Sequence, residues 1–450
     1  MSENNGITER FRRYFLWGII TFLLLITWSL FMNPDRLPPA PVIFLLYLST
    51  TVYGISSLIA TRMNLRTLFT FIFLFQLFSS LFLREFFLNV TGDELGFLEN
   101  IVDSGTYRKD ALITRHLTFS QTIEFLSSNI SLDISDYGFP IILRIAYIIG
   151  GDKYGNFVMM LFNVAFHTAS TLLLYKTSQK FLRNELCKII AILWGFNLIS
   201  IWINVSGLKE TVFLFFIIFT TYHLYGFYTK KSIYHLSIFL IGVFIVALFR
   251  IYLSVFFITI LLLMFFPKTF YAKYTPLIWA IIIIVIINFV TVFSYFFPVL
   301  QYVYDIGQTR NETSGIQGVV SIIFPIIGPF PAFLVSQSEN SNLNTFFFST
   351  FSFIKMVFSI FGIYGIYYIV KKKVTDLYPM VTFFILNTLL VVITGFELHY
   401  RFIYCALPLF IVIMIYGLDQ CVQANKKIYR QILPIFLIFC TLVAYLYNCR

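Results

Sequence analysis

Apolar runs of about 20 residues follow one another along the chain, the length that crosses about 30 Å of hydrocarbon as a helix. The pattern predicts spans at Tyr14–Met32, Pro41–Ala60, Thr67–Leu83, Tyr154–Tyr175, Ile189–Asn204, Thr211–Tyr228, Tyr234–Phe249, Ile251–Pro267, Pro276–Phe297, Phe346–Val370, Leu377–Phe396, Phe402–Leu418 and Ile432–Tyr447. Pro140–Ile149 is too short to span and carries Arg144. It is predicted as an interfacial or partly inserted helix. The expected fold class is therefore all-α, a polytopic transmembrane bundle of about 11–14 helices.

Two long polar stretches interrupt this pattern, Thr91–Pro140 and about Gln301–Thr345. Basic residues mark alternate turns: Arg62 and Arg66, then Lys176 to Lys188, Lys230 and Lys231, Lys268 and Lys273, Lys371 to Lys373, and Lys426 to Arg430. Cytoplasmic loops concentrate Lys and Arg, so these turns are expected inside and both polar stretches outside. The division along the chain is 1–83 (N-terminal helices), 84–153 (first extracytoplasmic loop with interfacial helices), 154–297 (central helices), 298–345 (second extracytoplasmic loop) and 346–450 (C-terminal helices).

Composition agrees. The chain is 59% hydrophobic and only 12% charged, with a mean hydropathy of +0.84, whereas soluble domains carry about 25% charged residues. The net charge of +11 follows from the basic turns, so nucleic acid is not an expected partner; membrane lipid is. The first run, behind Arg10, Arg12 and Arg13, is too long for a signal-peptide core and is expected to be retained. The five cysteines are scattered without a CxxC pair, which predicts neither a disulfide framework nor a metal site. Walker A, GxGxxG-after-strand and HExxH patterns are missing from the sequence.

With this topology the unusual charges gather on the outer side. Asp93 and Glu94 open the first loop, Lys209 and Glu210 sit at a later turn, Arg250 at the next, Arg310 in the second loop, and Glu397, His399 and Arg401 at a further outer turn. Ionisable groups at or below the interface are costly and tend to be paired or functional. Carboxylates beside fixed cations suit proton removal from an attacking hydroxyl and stabilisation of a departing phosphate. Each has a structural alternative: helix ends for Asp93 and Glu94, a cap or mutual pair for Lys209 and Glu210, snorkelling for Arg250, a rim network for Glu397, His399 and Arg401. His116 and His167 read as structural, and Arg108, Lys109 and Arg115 as groups that touch lipid headgroups or shape the loop.

The order of motifs resembles the GT-C glycosyltransferases, in the branch of protein O-mannosyltransferases and lipid A aminoarabinose transferases. Asp93-Glu94 to Gly105, Tyr137-Gly138-Phe139-Pro140 to Gly150-Gly151, Asn163, Lys209-Glu210, and His399-Tyr400-Arg401-Phe402 with Pro408 carry it, over about Arg84–Gly417. Departures are two extra leading helices, a longer first loop, and Lys-Glu where the family has an acidic pair. The resemblance implies a GT-C-like fold in the cytoplasmic or inner membrane and an extracytoplasmic active site. It implies transfer from a polyprenyl-phosphate-linked sugar to a glycan, lipid or protein acceptor. Asp93 would be the general base, supported by Glu94 and Glu210. Lys209, Arg250, Arg310 and Arg401 would hold the donor phosphate, and Tyr107, Tyr137, Glu397 and His399 would line the acceptor side. Some relatives use a divalent metal; the sequence offers no ligand cluster for one. A polysaccharide polymerase or ligase outside the GT-C fold, and a flippase for lipid-linked sugars, are the other readings.

Overall fold

The computed structural model describes residues 64–92, 101–129, 136–266, 270, 273–274, 277–281, 326–328, 342–393, 400–424, 435–436 and 438–439. Among these, every regular element is helical. Four helices are long and apolar enough to cross a membrane, or five if a bent pair counts as one. The predicted spans Tyr14–Met32 and Pro41–Ala60, and most of Pro276–Phe297 and Ile432–Tyr447, lie outside the described residues. The chain divides into two compact units.

The first unit, 44–258 with 336–347, starts with α1 (Leu65–Thr91), α2 (Ile101–Thr114) and α3 (Phe119–Asn129). Asn64 caps α1 by accepting from Thr67 N at 2.8 Å, and Gly92 ends it in the left-handed region at φ 71°. Thus α1 continues eight residues past the expected end at Leu83, and the domain boundary drawn there falls inside a helix. Its buried face includes Leu68, Ile72, Gln76, Ser80, Leu83 and Phe87, while Phe78 is 63% exposed and Phe82 48%. A helix facing water would hide those phenylalanines and show Gln76. Apolar side chains outward and polar ones inward suit a lipid surround.

Next come α4 (Gly138–Ser178), α5 (Asn184–Gly195), α6 (Leu198–Val205), α7 (Glu210–Lys230) and α8 (Ile233–Ala247). Helix α4 is broken at Gly151, at φ 63° and ψ −165°. Tyr147 Oη donates to Asn156 Oδ1 at 2.8 Å. In a straight helix nine residues span about 13.5 Å, so the two arms fold back on each other. A Cβ on Gly155 would come within 2.5 Å of the Tyr147 ring, so only glycine permits this approach. The arms correspond to the separately predicted Pro140–Ile149 and Tyr154–Tyr175, although the boundary at 153 falls just inside the second arm.

The expected single span Ile189–Asn204 is corrected. It is α5 and α6, bent by 41° at Phe196 and Asn197, both fully buried. Helix α7 packs against α4 and α8, with Phe166 meeting Phe215 at 5.0 Å.

The unit has two distinct ends. At one, Phe69 meets Tyr175, Tyr175 Oη donates to Asn184 Oδ1, and Lys180 lies over Tyr222 and Tyr225. His223 faces His235 there. Lys176, Lys180, Lys230 and Lys231 are all exposed at this end. The other end holds the starts of α4 and α7 and the turn after α8. Gly138 N donates to Leu248 O at 2.8 Å across it.

The second unit, 1–43, 259–335 and 348–450, contains most of α10 (Asn342–Lys371), α11 (Tyr378–Ile393), α12 (Tyr400–Tyr404) and α13 (Leu407–Ala424); α9 (Ile251–Phe265) crosses the division. Small residues bring α10 and α13 backbone to backbone: a Cβ on Gly417 would lie 1.9 Å from Phe361 O. Phe384 stacks on Phe410 at 4.2 Å. The predicted run Phe402–Leu418 is interrupted at Cys405 and Ala406, just before Pro408, which cannot continue the preceding hydrogen-bond ladder. The end of the second polar stretch, 342–345, is already helical in α10.

Candidate functional site

Two loop ends and one turn meet at the end of the first unit that holds the start of α7. Lys209 pairs with Asp136 and lies 6.0 Å from the centroid of the Tyr107 ring. Tyr107, on α2, meets Phe139 edge-on at 5.1 Å. Lys209 is 6% exposed and Glu210 1%. Asp136 lies two residues before α4, and Lys209 immediately precedes α7. The ion pair therefore ties the end of the first polar stretch to the α6–α7 turn. Lys209 is not paired with Glu210, which settles one of the sequence alternatives. A lysine ahead of a helix N-terminus is poorly placed against the helix dipole, whereas Glu210 in the first turn is well placed. Asp136 offsets the first of these.

Arg250 sits in the turn between α8 and α9 and donates to Tyr252 Oη at 2.9 Å. Its neighbour Phe249 stacks on Phe213 of α7 at 5.6 Å, and Gly138 packs against the Phe249 ring. Tyr137 is half-buried at the α4 start, where its carbonyl accepts from Ile141 N. Tyr107, Tyr137, Lys209, Glu210 and Arg250 thus come to one end of one unit. Arg401 lies in α12 of the second unit, with its side chain outside the description. Asp93, Glu94, Arg310, Glu397 and His399 lie outside the described residues.

Arg115 and Arg144 hold the loop helices. Arg144 donates to Thr114 O at 2.8 Å and Leu117 O at 2.6 Å, closing the C-terminus of α2. Arg115 pairs with Asp152 beside the Gly151 break. Burial raises the Asp110 carboxyl above its ordinary range. Among the described residues no three His, Cys, Asp or Glu gather as a metal site.

Sequence reasoning missed Asp136. The signal in the sequence is an acid two residues before the glycine that starts α4, with Asp133 three residues earlier. It also missed a buried polar cluster between α1, α4, α6 and α7. Gln76 Nε2 donates to Gly195 O at 2.7 Å and to Ser200 Oγ at 3.1 Å. His167 Nε2 lies 3.1 Å from Trp194 O, which can only accept, so this nitrogen carries the proton. Asn204 Nδ2 donates to Gln76 Oε1 at 3.2 Å, and Thr211 Oγ1 to Asn204 Oδ1 at 2.9 Å. The structural reading of His167 fits this placement. No family model matches the chain, and no curated protein or solved structure is similar enough to match it.

Proposed function

We propose that the protein is a multi-pass membrane glycosyltransferase of GT-C-like architecture. It moves a sugar from a polyprenyl-phosphate-linked donor to a glycan, lipid or protein acceptor of the envelope, on the extracytoplasmic side of the cytoplasmic membrane. The observation that supports this best is the pairing of the buried Lys209 with the half-buried Asp136, with Tyr107, Glu210 and Arg250 at the same end.

Helix lengths add to it. From Lys231, the 15 residues of α8 rise about 22 Å, short of the roughly 30 Å of a hydrocarbon core. The 27 residues of α1 rise about 40 Å. A turn that stops short of the far surface supports a reading in which Arg250 meets a phosphate still attached to a lipid. Planar guanidinium groups suit that recognition. Asp93, directly after the α1 cap at Gly92, takes the acceptor proton as the bond to the departing phosphate breaks. Glu210 orients the acceptor, and Asp136 fixes Lys209.

The test measures transfer from a polyprenyl-phosphate-sugar pool in membranes, with protein level checked by blot. Asp93→Asn should lower the rate by roughly 10²-fold or more, and Arg250→Lys should weaken donor binding. Near-normal transfer by both variants removes this mechanism and brings the polymerase or flippase forward.

A further inference from the structure

Basic groups from three elements meet at the end of the first unit that holds the α7–α8 turn. Lys180 follows α4, Lys230 ends α7, and His223 of α7 faces His235 of α8. Lys180 Nζ lies 5.3 Å from the centroid of the Tyr222 ring and 5.8 Å from that of Tyr225. Tyr222 in turn meets the His223 ring edge-on at 5.2 Å. The Nδ1 atoms of His223 and His235 are 3.1 Å apart. Gly226 permits that approach, because a Cβ there would come within 2.4 Å of His235 Nδ1. The Lys230 charge acts on both Lys180 and His235, and the Lys180 charge on both histidines.

No acid answers these groups. Among the described residues neither Lys180 nor Lys230 pairs with a carboxylate, whereas Arg84, Arg115 and Lys209 each do. The Lys180 side chain is exposed as a whole, but its ammonium is partly desolvated against the tyrosine rings. That desolvation, and then the charge of Lys230, lower it to about 8. The histidines add a donor. Two Nδ1 atoms at hydrogen-bond distance share one proton, so the accepting ring keeps its own proton on Nε2. That N–H has no acceptor among the described residues. Like charges gathered without a counter-charge, with a donor left over, are complementary to an anion, and lysine is a point-charge binder of phosphate.

Position selects the carrier of that anion. Ile233 and Tyr234, just before His235, are exposed, and Leu240, Ile241 and Phe244 continue the exposed apolar surface along α8. The cluster therefore sits at the edge of hydrocarbon-facing surface, the level of lipid headgroups. A zwitterionic headgroup would bring another cation into the cluster, and Lys180 already occupies the Tyr222 and Tyr225 rings that could receive it. An anionic headgroup brings only its negative charge. Basic pockets between helices at a membrane surface suit such headgroups.

We infer that the phosphate of an anionic phospholipid binds among Lys180, Lys230 and the His223–His235 pair. It ties the ends of α4 and α7 to the start of α8. The site lies at the opposite end of α7 from Lys209 and is independent of the sugar-transfer reading.

The test uses the purified full chain in detergent, unfolded by heat and followed by tryptophan fluorescence. Phosphatidylglycerol, phosphatidylcholine or inorganic phosphate is added in steps at fixed ionic strength. Phosphatidylglycerol should raise the midpoint by several degrees in a saturable manner, as linkage requires for a ligand of the folded state, and phosphatidylcholine should not. Lys180→Gln should raise the half-saturating amount of phosphatidylglycerol several-fold. Its lipid-free midpoint should be equal to wild type or higher, because one of two repelling charges is gone. Lys371→Gln, which removes an exposed lysine of the second unit, should respond as wild type does. Equal midpoints in the two lipids, or an unchanged response in Lys180→Gln, would overturn the site. An equal loss of response in Lys371→Gln would also overturn it, in favour of diffuse surface charge. A shift of the same size with inorganic phosphate alone would overturn the lipid assignment and make free phosphate the ligand.

Discussion

The first unit breaks two helices, and it handles the breaks in opposite ways. At Gly151 the backbone enters a region open essentially to glycine, and a Cβ there would meet nothing within 4 Å. The exposed Asp152 and its partner Arg115 are the polar groups at hand. At Phe196 and Asn197 the backbone is fully buried, and the opened carbonyls draw donors from two other helices. Gln76 reaches Gly195 O from α1, His167 reaches Trp194 O from α4, and Asn197 caps Ile199 N with its own side chain. A break near solvent needs only a permissive φ. A break in an apolar interior needs every freed group answered, because no water is there to do it.

The sharpest way to test that difference is to remove the imported donor. Gln76→Leu orphans Gly195 O and the Asn204 amide, each worth about 1–3 kcal/mol, so a loss of about 3 kcal/mol is expected. Gln76→Glu keeps the shape and the acceptor but not the donor, and should lose nearly as much. Thermal unfolding in detergent reads both. If Gln76→Leu unfolds within a degree of wild type, the α5–α6 break does not depend on α1.

Glycine carries the other break alone. Gly151→Ala meets no neighbour, so its whole effect is backbone strain, about 2 kcal/mol for a non-glycine residue in that region. Gly151→Asn should be no better, because the ψ of −165° is outside the left-handed helical region that Asn tolerates. A neutral Gly151→Ala would mean that the arms can fold back by another route.

The two breaks also differ in how far the sequence announced them. Gly150-Gly151-Asp152, after a segment carrying Arg144, is visible as a boundary, and the arms on either side were separable by length. The second break lies within Ile189–Asn204, where Gly195 and the capping Asn197 are the local signs of it and an otherwise apolar run outweighs them. Its support from Gln76, 119 residues from Gly195, is the part that no local reading shows. The same holds for the candidate site. Lys209, Glu210 and Arg250 were legible because charges are rare in apolar sequence. Asp136 was not, because an acid in a polar loop is ordinary until its partner is known.

The smallest expected effect lies beside the Gly151 break, on the helix that packs against the first arm of α4. Asp110 is half-buried on α2, and burial raises its carboxyl above the ordinary 3.8. A carboxyl raised in the folded state binds its proton more tightly there than in the unfolded chain. Its contribution is therefore fully present below the unfolded value and is lost as pH rises through the folded value. At neutral pH the ionised Asp110 is a liability, and below pH ~3.8 it is not. Asp110→Asn removes the charge with almost no change in shape. It should raise the unfolding midpoint slightly at pH 7 and leave it unchanged near pH 3, where the wild-type carboxyl is already neutral. The hydrogen bond from Thr114 Oγ1 goes to the Asp110 backbone carbonyl and survives the substitution, so the change in pH dependence isolates the side-chain charge. A midpoint that falls at pH 7 would mean that the carboxylate is stabilised in the folded chain, the reverse of what its burial predicts. By contrast, Gln76→Leu at the other break should lose its stability at both pH values, because a donor to a backbone carbonyl does not titrate.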